Sequence, residues 1–68
     1  MIVIYGKDTC PYTRAARDHY QAEAIPFRYV NVRKSPDDLA RMLELSGGLR
    51  EVPVIVDDGK VTIGYGGT

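Results

Sequence analysis

The chain contains one cysteine, Cys10, in the run Lys7-Asp8-Thr9-Cys10-Pro11-Tyr12-Thr13, and this residue bounds the chemistry more than any other. One thiol cannot form an internal disulfide or, by itself, a four-ligand zinc site, so any redox reaction must take its second thiol from another molecule. Cys10 follows a strand and loop and directly precedes a proline suited to the first position of a helix. Its sulfur is therefore expected near unpaired backbone N–H groups at the positive end of a helix dipole, where the nucleophilic thiolate is favoured. Lys7, three residues upstream, adds positive charge, and Thr13, three residues downstream, is spaced to turn its hydroxyl toward the sulfur. Asp8 opposes ionisation. The alternative for Cys10 is a small buried hydrophobe with no reactive role.

The remaining candidates for chemistry are weaker. His19 lies nine residues beyond Cys10, or ~13 Å along a helix axis, too far to act as that sulfur's base. Asp37-Asp38 follows Ser35-Pro36, and helix capping accounts for the pair. Asp57-Asp58 precedes Gly59 and has the chemistry of a tight turn, with no further ligand cluster to suggest a metal.

The elements that must position Cys10 are short and closely spaced. Ile2, Val3, Ile4 and Tyr5 form a β-prone apolar run ending at Gly6, and the lack of alternation predicts a central strand buried on both faces. Thr9 or Cys10 is the expected N-cap and Pro11 the first residue of a helix reaching about Glu23, with Ala15, Ala16, His19 and Tyr20 on one stripe and Ala24-Ile25-Pro26 closing it. Phe27 to Val32 is dense in β-formers directly after that helix, the arrangement of a right-handed βαβ unit. A second helix begins at Ser35-Pro36, shows an apolar face of Leu39, Met42 and Leu43, and ends at Gly47-Gly48 through a left-handed residue. Val54-Ile55-Val56 and Val61-Thr62-Ile63 flank Asp57-Asp58-Gly59-Lys60 as a hairpin. The order βαβ then αββ predicts one α/β domain over residues 1–68, a four-stranded mixed sheet flanked by two helices, with no interdomain linker.

Composition removes several classes of function. Nine basic residues cancel nine acidic ones, leaving no net field to attract nucleic acid phosphates or an anionic membrane. The longest apolar runs, Met1 to Tyr5 and Val52 to Val56, are too short to span a bilayer, and a soluble, cytoplasmic protein is expected.

The segment Tyr5-Gly6-Lys7-Asp8-Thr9-Cys10-Pro11-Tyr12-Thr13 resembles the active-site segment of glutaredoxins, in which a lysine precedes Cys-Pro-Tyr-Cys. Val52-Pro53 before a strand is similar to the family's Thr-Val-Pro loop, and Ile63-Gly64 to the start of its Gly-Gly turn. The three segments occur in family order and spacing across the chain. The resemblance implies a thioredoxin-like fold, with Cys10 as nucleophile in a motif completed by Pro11, Tyr12 and Thr13. It implies a cis Pro53 facing the sulfur and glutathione as co-substrate, in a role in electron transport and cell redox homeostasis. Lys7 and Arg50 match positions whose basic or polar groups reach the glycyl carboxylate, and Tyr12 matches one that packs along the ligand. At Val52 the backbone N–H and C=O are expected to pair with the extended peptide like an added strand. Gly64 matches the start of the family's turn, and Gly67 and Thr68 occupy the positions implied to meet the γ-glutamyl end, where Thr68 offers a hydroxyl and a backbone N–H.

The chain departs from the family pattern at Thr13, which replaces the second motif cysteine, and at Tyr65, which replaces the second glycine of the turn. Gly67-Thr68 stands where the family often has Asp-Asp or Ser-Asp, and the family's final helix has no counterpart here. A sheet face without that helix lowers stability or favours dimerisation, so a monomer is expected with a dimer as the alternative. The leading functional reading is a monothiol, glutathione-dependent thiol-disulfide oxidoreductase acting on glutathionylated or disulfide-containing proteins, with no metal. Two others remain open. One is a dimer sharing a [2Fe–2S] cluster through Cys10 and glutathione thiolates, against which Pro11 argues, since cluster-binding relatives usually have a smaller, more flexible residue there. The other is the cysteine form of glutaredoxin-like selenoproteins, reducing small disulfides or peroxides.

Overall fold

Three β-branched residues and a tyrosine precede Gly6, and Ile2–Gly6 forms strand β1, paired along both edges. The computed structural model describes residues 1–65 of the chain. After β1 come α1 (Pro11–Ala22), β2 (Phe27–Asn31), α2 (Pro36–Ser46), β3 (Val54–Asp57) and β4 (Lys60–Ile63). The sheet order is β2-β1-β3-β4. β2 runs parallel to β1 with Ile4 opposite Tyr29, β3 antiparallel with Ile4 opposite Ile55, and β4 antiparallel to β3. This is the expected mixed α/β sheet with two helices.

The two-residue period of a strand sends alternate side chains to opposite faces, and each face carries its own apolar cluster. Ile2, Ile4 and Ile55 pack with Ala16 of α1, bordered by Tyr20, Phe27, Tyr29 and Tyr65. On the other face Val54 and Val32 pack with Met42 of α2, bordered by Tyr5, Leu39 and Val52 among others. β1 is central as expected, but its burial alternates, full on the α1 face and partial on the α2 face. The expected stripe of α1 also needs correction. Ala15 and His19 are exposed, and the face turned inward is Thr13, Ala16 and Tyr20. Threonine's polarity conceals that face in the sequence, although its methyl group packs as well as an alanine.

The helix boundaries follow their local chemistry. Cys10 is the N-cap of α1, with Pro11 in the first turn. Ser35 caps α2 by accepting the Asp38 N–H at 3.3 Å, Asp37 and Asp38 sit at the positive end of the dipole, and left-handed Gly47 ends it. Asp58 and Gly59, with φ of 53° and 90°, make the β3–β4 turn.

One contact joins α1 to the end of β1. A side chain at Gly6 would collide with the Thr13 methyl group and meet its Oγ1 at 2.6 Å, so the first turn of α1 lies against the bare backbone of residue 6. Gly6→Ala is expected to lower the unfolding free energy by about 1–3 kcal/mol. The penalty should shrink in Gly6→Ala/Thr13→Ala, giving a non-additive cycle in urea denaturation.

Candidate active site

Cys10 leaves β1 through a tight turn in which its N–H donates to the Lys7 carbonyl at 3.2 Å, and its own carbonyl accepts the Arg14 N–H at 3.1 Å. Its backbone is extended (φ −87°, ψ 119°) and its side chain does not cap the helix. The sulfur is therefore held at the N-terminus of α1. Cys10 is only 7% exposed. As a thiol it donates to the Val52 carbonyl, with Sγ 3.8 Å from the oxygen.

Burial is the largest influence on the thiol and disfavours its charged form. The Thr13 hydroxyl, the Thr13 and Tyr12 backbone N–H groups and the Lys7 charge together outweigh it, so the net shift is below the ordinary cysteine range. The state of Thr13 fits this balance. Its Oγ1 is buried and has no hydrogen-bond partner in the structure, whereas an ionised Sγ supplies the acceptor it lacks.

Pro53 is buried beside the site, and the Val52-Pro53 peptide bond is cis, as the family resemblance implied. The Gly64 N–H donates to the Pro53 carbonyl at 2.7 Å, with Gly64 at φ 86°, which ties the end of β4 to this loop. Among the described residues no turn or loop hydrogen bond between backbone groups uses the Val52 N–H. Gly67 and Thr68 lie outside the described residues.

From Val52 a cleft of about 460 Å³ opens over the α2 face, floored by Val32, Leu39 and Met42 and edged by Lys7, Arg33 and Arg50. None of the ion pairs among the described residues uses these three cations. The structure thus brings Lys7, Cys10, Thr13, Arg50, Val52, Pro53 and Gly64 into one region. Tyr12 is 43% exposed and, like Cys10 itself, is not among the residues that line the cleft; its contribution at the sulfur is its backbone N–H. Arg33 is the lining residue that the sequence reading did not single out, because one charge after a strand forms no pattern. Asp8, expected to oppose the thiolate, accepts the Tyr29 hydroxyl at 2.7 Å and lies 4.0 Å from the Arg17 guanidinium.

The glutaredoxin family model matches residues 2–62 of this sequence. The chain belongs to the glutaredoxin family. A glutaredoxin-like 8.6 kDa protein in the rubredoxin operon of Clostridium pasteurianum is 32% identical, over 96% of this chain and 85% of its own length. Two solved structures share the fold. A glutaredoxin of Archaeoglobus fulgidus superposes with a TM-score of 0.83 at 24% identity, over 96% of this chain and 75% of that one. NrdH-redoxin of Escherichia coli, a glutaredoxin-like protein with a thioredoxin-like activity profile, gives 0.79 at 23% identity, over 96% and 83%. This glutaredoxin is thus a thioredoxin-fold redox protein in which Thr13 stands where the family motif has its second cysteine.

Alkylation of Cys10 against pH should give a midpoint below the ordinary thiol value of ~8.5, and Thr13→Val should raise it. The sign for stability follows. Between the folded and unfolded thiol pKa the unfolded chain binds the extra proton, so stability relative to Cys10→Ala rises with pH through that window and the gain is lost below the folded pKa. Urea midpoints of the two proteins across this range measure it.

Proposed function

We propose that this chain is a monothiol, glutathione-dependent thiol-disulfide oxidoreductase that reduces mixed disulfides between glutathione and other proteins. The observation that carries this reading is the position of Cys10 Sγ, 3.8 Å from the carbonyl oxygen of Val52, a residue that itself lines the cleft edged by Lys7, Arg33 and Arg50. An extended peptide laid along Val52 finds backbone groups to pair with and, further along the cleft, cations for its terminal carboxylate.

In the first step the Cys10 thiolate attacks the glutathione sulfur of the mixed disulfide. The Cys10–glutathione bond forms, the old disulfide breaks, and the substrate leaves as a thiolate that takes a proton from water. In the second step a glutathione thiolate attacks the glutathione sulfur bound to Cys10, releasing oxidised glutathione and restoring the Cys10 thiolate. Each exchange moves one electron pair, and the cycle consumes two glutathione units, one from the substrate and one free. No internal disulfide interrupts it, because residue 13 is threonine.

Treatment with oxidised glutathione should add a single group of about 305 Da, and varying both substrates should give the parallel lines of a ping-pong reaction. Thr13→Cys should form an internal disulfide, slow this route and gain reduction of protein disulfides. Arg50→Gln should raise KM for glutathione about three- to tenfold, the loss of roughly 1 kcal/mol of charge-assisted binding. Reduction of a protein disulfide by the native chain without an added thiol would sink the reading. So would a silent mixed-disulfide assay beside a glutathione-dependent brown dimer after reconstitution with iron and sulfide.

A further inference from the structure

Consecutive residues Lys7 and Asp8 carry opposite charges in the loop before Cys10, and the fold sends them to opposite sides of the sheet. Lys7 edges the cleft on the α2 side, together with Leu39 and Met42. Asp8 turns to the α1 side, where its carboxylate accepts the Tyr29 hydroxyl at 2.7 Å with Arg17 Nη1 at 4.0 Å. Tyr29 is opposite Ile4 in the β1–β2 ladder and packs against the Ile2, Ile4, Ala16 and Ile55 cluster, so the phenol lies on the α1 face with its oxygen at the active-site loop. The Arg17 guanidinium lies over the same ring, 3.9 Å from its centre. One phenol therefore meets a cation at its face and an anion at its hydroxyl.

We propose that Tyr29, with Arg17, is a positioning residue for the Cys10 thiolate, holding the Asp8 carboxylate on the α1 side of the loop so that Lys7 is the charge left facing the sulfur and its ligand. The inference rests on Cys10 being the reacting thiol. The hydroxyl suits the task because it stays a donor throughout the working range. Burial first, then its bond to Asp8, pushes its pKa up to about 12. Among the described residues, Lys7 is the charge that acts on Cys10; Asp8 shares its loop, Arg17 on α1 lies beside Asp8, and Arg33 and Arg50 edge the cleft that Val52 lines. Arg14, one turn further along α1, and Glu51, next to Val52, are exposed. Asp8 is thus the acidic group of the loop whose direction the fold must control, and it is more than half exposed. Without a partner its side chain samples several rotamers, some directed at the sulfur.

The test is the midpoint of Cys10 alkylation against pH in the native chain, Tyr29→Phe, Arg17→Gln, Asp8→Asn and Tyr29→Phe/Asp8→Asn, with urea denaturation of each to establish folding. Tyr29→Phe should raise the midpoint by about 0.3–0.5 pH unit, a two- to threefold slower alkylation below the midpoint, the size of one solvent-screened charge at close range. Arg17→Gln, on the helix surface, should move it the same way by less. The double variant should return the midpoint to the native value or below, because the charge that Tyr29 restrains is gone. A midpoint unmoved in both Tyr29→Phe and Arg17→Gln, or a Tyr29→Phe shift that Asp8→Asn does not cancel, would make the cluster a brace for the loop alone and overturn the proposal. A native midpoint at or above the ordinary thiol value would instead overturn the reading of Cys10 as the nucleophile, so the two failures are distinguishable.

Discussion

The site depends on the close approach of Thr13 to Gly6. A helix that starts directly after a strand and loop can point its first backbone N–H groups at a residue of that loop only if its first turn packs tightly on the strand it has just left. Gly6 permits this because it has no side chain in the space that Thr13 fills. The contact fixes the height of α1 over β1, and so fixes Cys10, whose N–H is tied to Lys7 on one side and whose carbonyl is tied to Arg14 on the other. A larger residue at position 6 would move the helix start, and the dipole, both amides and the hydroxyl would all lose their aim at the sulfur together.

From that anchor the two faces of the sheet take different roles. The α1 face holds the thiol's rear support, with Thr13 and Ala16 buried against β1 and Tyr29 reaching the loop from β2. The α2 face offers an open apolar floor of Val32, Leu39 and Met42 with cations at its edge. β1 and β3 each contribute to both clusters, so the central pair of strands couples the groups that tune the sulfur to the groups that would hold its ligand. A chain with a net charge of zero thereby places around one cleft three cations that form no ion pair among the described residues.

How much of this was legible in the sequence depended on whether the deciding interaction was local. Ser35-Pro36-Asp37-Asp38, Gly47 and Asp58-Gly59 act through hydrogen bonds and φ angles within a few residues, and each ended or began its element where expected. The position of Cys10 before Pro11 is likewise local. The buried face of α1 was misjudged because Ala15, Ala16, His19 and Tyr20 fall into a helical stripe by their i, i+4 spacing while the hydroxyl of Thr13 hides it from that pattern, whereas the partner of the true inner face is a glycine on a strand that admits one methyl group and little more. Arg33 and the Asp8–Tyr29 bond were not legible. The first gains meaning only beside Lys7 and Arg50, and the second joins residues 21 apart in sequence through the parallel pairing of β1 and β2.

The opposing influences on Cys10 also bear on why a threonine suits a one-thiol site. Lowering a thiol's pKa enlarges the thiolate fraction but weakens each thiolate as a nucleophile, so exchange is fastest when the pKa lies near ambient pH. A cysteine exposed to every donor at the helix start would pass that point and become a good leaving group but a sluggish attacker. Here burial pushes the thiol up while the Thr13 hydroxyl, two amides and Lys7 push it down. A second cysteine at position 13 would supply a donor too, but it would also capture the mixed disulfide formed on Cys10. The threonine hydroxyl gives the hydrogen bond without the chemistry. In the proposed monothiol cycle, the absence of a second thiol leaves a mixed disulfide on Cys10 to an attacker from solution.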